Sequence, residues 1–165
     1  MSEAIPPVAT PRWQLAMPDE AAVARLAAAF ARHAAPPAVV WLRGDLGAGK
    51  TTFARAWIHA LGFAGYVKSP SYGLLETYPF GDRTVLHLDL YRIEDPEELE
   101  YLAIRDLFGP ETLLLVEWPD RGRDHLPQAD LVLEFGEENG ARCIRCRPIS
   151  AGGAALANKV LQDSC

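Results

Sequence analysis

The chain alternates between short, continuous apolar runs and longer stretches in which apolar positions recur at helical spacing. Ala38-Val39-Val40-Trp41-Leu42 and Thr112-Leu113-Leu114-Leu115-Val116 are apolar at nearly every position, as expected of parallel strands buried on both faces. Thr84 to Leu90 alternates as a strand does and delivers Asp89 to its end. Helices are predicted between these runs. Asp19 stands where an N-cap belongs, ahead of an apolar face of Val23, Leu26, Ala27 and Phe30. Phe53, Ala56, Trp57, Ala60 and Leu61 make a second face with Gly62 as its stop. Pro96-Glu97-Glu98 opens a third, which carries Leu99, Leu102, Ala103 and Leu107 inward. Tyr66 to Tyr78 reads as loop or short strand. Leu131 to Phe135 and Arg142 to Arg147 read as a hairpin across the polar turn Gly136 to Gly140. Ala154 to Leu161 forms a last short helix or frays. The pattern predicts a single α/β domain: a central, mostly parallel sheet flanked by helices, with a C-terminal antiparallel hairpin. Residues 1–17 are expected to be a flexible lead-in, 18–150 the domain and 151–165 a tail.

Composition narrows the classes. At 165 residues and 49% apolar, the chain suits one domain with a substantial core. A net charge of −6 leaves no general basic footprint for gripping nucleic acid by its phosphates. No apolar run approaches a membrane span, and Met1 to Pro11 lacks the charged and apolar regions of a secretory signal. The cysteines, Cys143, Cys146 and Cys165, are odd in number, which points to free thiols in a reducing compartment; the cytoplasm is expected. Cys143-x-x-Cys146 has the spacing of a redox or zinc pair. It sits in a strand-like segment without a partner pair, so ordinary side chains are expected there.

The segment after the first apolar run carries the chemistry. Gly44-Asp45-Leu46-Gly47-Ala48-Gly49-Lys50-Thr51-Thr52 fits the phosphate-binding pattern Gly-x-x-x-x-Gly-Lys-[Ser/Thr]. Such glycines let the backbone curl so that its N–H groups face phosphate oxygens. The lysine reaches the terminal phosphates, and the following hydroxyl serves Mg²⁺. Strand before and helix after are what the device needs, because the helix N-terminus adds its positive end.

Phosphate chemistry further needs carboxylates for the metal and the water. Glu117 ends the run Leu113 to Val116, the Walker-B position with Glu in place of the commoner Asp. Asp89 follows Val85-Leu86-His87-Leu88. Both are expected at carboxyl ends of strands, where α/β sheets bind ligands. His87 shares a strand face with Asp89 and is expected to be a hydrogen-bonded sheet histidine. Ser69-Pro70-Ser71-Tyr72 is a turn carrying two hydroxyls, readable as a plain turn or as a phosphate-sensing switch. Trp118 either braces the site, faces a partner or packs in the core.

These motifs, in this order, resemble the TsaE family. Val-Lys-Ser-Pro-Ser-Tyr at 67–72 follows the loop; His-Leu-Asp-Leu-Tyr-Arg at 87–92, Asp-Pro-Glu-Glu-Leu at 95–99 and Val-Glu-Trp-Pro at 116–119 come next. The resemblance spans roughly residues 18 to 135. It implies a P-loop NTPase-like domain that binds ATP with Mg²⁺ and hydrolyses it slowly. It also implies work with TsaD-like and TsaB-like subunits that form N6-threonylcarbamoyladenosine at position 37 of tRNAs reading codons that begin with A. Carried over by motif, Leu46, Gly47, Ala48, Gly49, Lys50, Thr51 and Thr52 would hold the nucleotide, with Glu20 near it. Lys50, Asp89 and Glu117 would act in hydrolysis, and Thr51 and Glu117 would serve the metal. Ser71 stands where the family usually has Thr. A small-molecule kinase with Arg121-Gly122-Arg123 as a lid, and a non-hydrolysing nucleotide-gated interaction module, are the competing readings.

Overall fold

The computed structural model describes residues 13–70 and 73–164. Ser71, Tyr72, Cys165 and the first part of the lead-in lie outside the described residues. Seven strands form one sheet: β1 (Trp13–Ala16), β2 (Ala38–Gly44), β3 (Leu75–Phe80), β4 (Arg83–Asp89), β5 (Thr112–Glu117), β6 (Leu131–Glu138) and β7 (Ala141–Pro148), in the order β1-β7-β6-β2-β5-β4-β3. The centre, β6-β2-β5-β4, is parallel. Antiparallel strands finish both sides: β3 on β4, and β7 then β1 beyond β6. The expected hairpin is therefore β6–β7, turning at Asn139-Gly140.

Each apolar run splits its side chains between two cores, which is why the runs look continuous. Val40, Leu42, Leu113 and Leu115 pack under α1 (Glu20–His33) and α2 (Lys50–Ala60), against Phe30, Phe53 and Trp57. Val39, Trp41, Leu114 and Val116 face the other side, against Leu90, Leu99, Ile104 and Leu126. Asp19 caps α1, its carboxylate accepting from the Ala22 N–H at 2.8 Å.

Three segments depart from the sequence reading. The expected flexible lead-in ends in β1, which pairs Trp13 with Cys146 and donates the Trp13 indole N–H to Ala157 O at 3.0 Å. Four residues are too few to show a period, and their pairing partner is remote in sequence. The helix expected across Leu99 to Leu107 is broken into α3 (Glu98–Tyr101) and α4 (Ile104–Leu107) by Ala103, in the left-handed region with φ 52°. Leu99 and Ile104 are both buried in one core, yet in a continuous helix five residues would set them about 140° apart. The break lets both face the sheet.

The third departs only in extent: the last helix expected at Ala154 to Leu161 forms and is longer, α5 (Ala151–Ser164), with Leu156, Ala157 and Val160 in the first core. Asp130 seats it: its carboxylate accepts from Val39 N–H at 2.8 Å and Ser150 Oγ at 2.7 Å, while its carbonyl accepts from Ile149 and Ser150 N–H. Gly153 packs so tightly here that a Cβ would stand 1.7 Å from Asp130 O. Gly153→Ala is expected to cost about 3 kcal/mol, the upper part of the range for overpacking, read as a lowered urea midpoint. A small shift would mean that α5 rides over the sheet with slack.

Candidate functional site

Register brings the chemical groups together. Asp89 pairs with Glu117 across β4–β5, and Leu42 pairs with Glu117 across β2–β5, so three central strands end at one level. The 44–49 loop leaves β2 at that level and enters α2. Gly47 and Gly49 take φ of 80° and 109°, conformations that L side chains rarely adopt. Gly49 caps α2 with no side-chain hydrogen bond, so the first-turn N–H groups are left for an anion.

Lys50 is the first residue of α2 and is only 4% exposed. Its Nζ donates to Gly44 O at 2.6 Å and Asp45 O at 2.8 Å, and lies 4.3 Å from the Trp118 ring centre. Burial pulls its pKa down, with the charges of Glu117, Asp89 and Asp45 opposing that. Thr51 Oγ1 donates to Glu117 Oε1 at 2.7 Å. The other carboxylate oxygen, Oε2, lies 2.7 Å from His87 Nε2. Asp89 accepts the Tyr91 N–H at 3.0 Å on Oδ1. Burial, and then the Glu117 charge, push the Asp89 carboxyl above the ordinary aspartate range. Lys50, Thr51, Asp89 and Glu117 thus form one cluster, all beside the loop.

Glu20, Ala48, Gly49 and Thr52 meet elsewhere. They line a cavity of about 220 Å³ on the far flank of the loop, walled by Phe135 and Arg142 of the hairpin. Leu46 stands apart, 69% exposed at the loop crown, so only its backbone can serve a bound phosphate. Phe135 and Arg142 carry no sequence signal of their own, because the hairpin pairing alone brings them there. Another group was also illegible. Tyr91 and Trp118 pack at 5.1 Å between ring centres, and the Arg121 guanidinium covers both rings at 5.1 and 5.4 Å while donating to Tyr91 O. Arg121, a lid residue on the kinase reading, is held there on Tyr91 and Trp118. Trp118 braces Lys50. Cys143 and Cys146 are both buried, and among the described residues no group of three or more His, Cys, Asp or Glu could hold a metal ion.

A glycine-rich loop between β2 and α2, a buried lysine at the helix start, and a Thr–Glu pair at the strand ends define a P-loop α/β protein of the nucleotide-binding class. Within that class the chain belongs to the TsaE family: residues 17–144 match the family model described as "Threonylcarbamoyl adenosine biosynthesis protein TsaE". It is 41% identical to the tRNA threonylcarbamoyladenosine biosynthesis protein TsaE of Haemophilus influenzae, over 78% of this chain and 84% of that one. It is 40% identical to the Bacillus subtilis protein of the same name, over 73% of each. The crystal structure of Bacillus subtilis YdiB superposes with a TM-score of 0.71 and 28% identity, covering 93% of this chain and 95% of that one. No helix among the described residues is long and apolar enough to cross a membrane.

Proposed function

We propose that this chain is the ATP-hydrolysing, Mg²⁺-dependent subunit of the assembly that forms N6-threonylcarbamoyladenosine on tRNA, working with TsaD-like and TsaB-like partners in the cytoplasm. Membership of the TsaE family places it in tRNA threonylcarbamoyladenosine biosynthesis. The observation that carries the finer reading is the 2.7 Å contact of Thr51 Oγ1 with Glu117 Oε1, one residue after the loop lysine. The donor set suits a hard cation: a hydroxyl and a carboxylate, with no convergent His, Cys, Asp or Glu group among the described residues to hold a metal without help. Thr51 and Glu117 would hold Mg²⁺, with phosphate oxygens completing the shell; the ion, when bound, offsets charge on the transferred phosphoryl group.

The protein's own groups supply the rest. Lys50 and the α2 N-terminus stabilise the terminal phosphates, and the cavity walled by Glu20 and Thr52 takes the base and ribose. Asp89 holds the attacking water at Oδ2, since Oδ1 is committed to the Tyr91 N–H. Its raised proton affinity suits a group that accepts a proton from that water. Phosphates draw Lys50 off Gly44 O and Asp45 O. Trp118 lies against Lys50, Tyr91 against Trp118 and Arg121 over both rings, so nucleotide state reaches the surface at Tyr91–Arg121 and biases partner affinity. The Ser71 hydroxyl, outside the described residues, is the expected sensor in the preceding loop.

Reconstitution tests this. With TsaD-like and TsaB-like subunits and tRNA, modification is expected to continue over many turnovers only when this chain and ATP are both present. Glu117→Ala is expected to lower ATP turnover about 100-fold or more while nucleotide affinity changes far less. Sustained modification without this chain, or undiminished turnover in Glu117→Ala, would sink the proposal. Phosphorylation of a metabolite by the isolated protein would support the kinase reading instead.

A further inference from the structure

We infer that His87 is a positioning residue for Glu117: it fixes the rotation of that carboxylate so that Oε1 is presented to Thr51 and to the metal. The inference rests on the proposed role of Glu117 and extends it to a residue outside the nucleotide contacts. His87 is fully buried on β4, at 0% exposure, and Glu117 is 2% exposed. Its Nε2 sits 2.7 Å from Oε2, while Oε1 accepts from Thr51 at 2.7 Å. Both oxygens of Glu117 are therefore tied to the protein, one by a group that would meet the ion and one by a group that would not. Among the described residues His87 Nδ1 has no hydrogen-bond partner. On its sheet face Val85, Leu113 and Leu115 are apolar core, while Asp89 and Glu117 lie toward the strand ends and Glu76 stands opposite on β3. A leucine would satisfy packing there and avoid stranding a buried nitrogen. The imidazole's bond to Glu117 Oε2 is the kind that outer groups make when they orient a ligand toward a cation.

Nε2 must carry the proton for this bond, with Glu117 Oε2 accepting. Glutamine places an amide nitrogen the same number of bonds from Cβ as Nε2, so His87→Gln can restore the donor; leucine and the shorter asparagine cannot. The readout is Mn²⁺ affinity by electron paramagnetic resonance with ADP present, which needs no turnover. His87→Leu is expected to weaken Mn²⁺ about tenfold, and His87→Gln by no more than about twofold. Wild-type affinity in His87→Leu overturns the inference, and so does a His87→Gln protein as weak as His87→Leu. If His87→Leu does not fold, His87→Asn takes its place under the same criteria. Glu117→Gln separates the two ideas: if it binds Mn²⁺ as the wild type does, the metal role of Glu117 fails. The pairing is then decided by urea midpoints. His87→Leu shifts the midpoint less in a Glu117→Leu background, which has no acceptor for Nε2, than in the wild type if the side chains are coupled, and equal shifts overturn the inference.

Discussion

Lys50→Ala is expected to leave a folded protein with no measurable ATP turnover and nucleotide affinity lowered about 100-fold. The affinity figure follows from losing one or two charge-assisted phosphate contacts, each about 1.5–3 kcal/mol. Turnover falls further, by about a thousandfold, because charge on the terminal phosphate peaks as the bond breaks. The fold is expected to survive, because the side chain makes few structural bonds. Among the described residues Nζ bonds only Gly44 O and Asp45 O, both in the loop itself, and its burial already works against its charge. Thermal unfolding within about 1 kcal/mol of the wild type, together with failed nucleotide titration, is the expected pair of results. Lys50→Arg is expected to fail as well. The planar guanidinium is bulkier than an ammonium in a slot bounded by two carbonyls and the Trp118 ring. Ordinary ATPase activity in Lys50→Ala would remove the phosphate-loop reading altogether.

What was legible in the sequence followed from local rules. The loop, the two carboxylates and the helix cap at Asp19 are set by neighbours in the chain: a glycine where φ is positive, an acid where an apolar run stops, an aspartate before a helix. Their convergence was legible too, because parallel strands deliver their ends to one edge and register then sets Asp89 against Glu117. What escaped depends on distant partners. β1 exists because β7 offers an edge, and Trp13 gains a carbonyl on α5. The kink at Ala103 exists because Leu99 and Ile104 must reach the same core. The last helix was offered at Ala154 to Leu161, but its start at Ala151 escaped, because Asp130 and Gly153 seat that turn despite two glycines that weaken its helix propensity. At the site the same division holds. Lys50 could be named from its motif, but its contact with Trp118, and the Tyr91–Arg121 cover beyond, need the left-handed turn at Trp118, φ 57°, which no local pattern announces.

Asp89→Asn is expected to abolish turnover and, in the absence of nucleotide, to raise stability. The first follows from chemistry: the amide keeps an acceptor for the Tyr91 N–H at the Oδ1 position but cannot take a proton from water at the other atom. A loss of about 100-fold or more in turnover is expected, with nucleotide affinity little changed. The second follows from electrostatics. Burial and the Glu117 charge raise the folded-state pKa of Asp89 above its unfolded value. At low pH, where the carboxyl is protonated in both states, it adds no penalty. As pH rises from the unfolded value through the folded one, the unfolded chain releases its proton first, and folding bears the cost of an ion that is poorly solvated. That cost is complete only above the folded-state value. The gain in melting temperature for Asp89→Asn is therefore expected to grow as pH rises through the folded-state value and to vanish in acid. Glu117 and Lys50 share the cluster, so the variant also relieves carboxylate repulsion while giving up attraction to the lysine; burial and the Glu117 charge outweigh the Lys50 attraction, and the sum favours the amide. A destabilised Asp89→Asn protein, or a gain that grows toward acid, would show that the carboxylate is a structural ion pair with Lys50. A stabilised and inactive one would show that the protein keeps a costly charge at the strand end because hydrolysis needs it there.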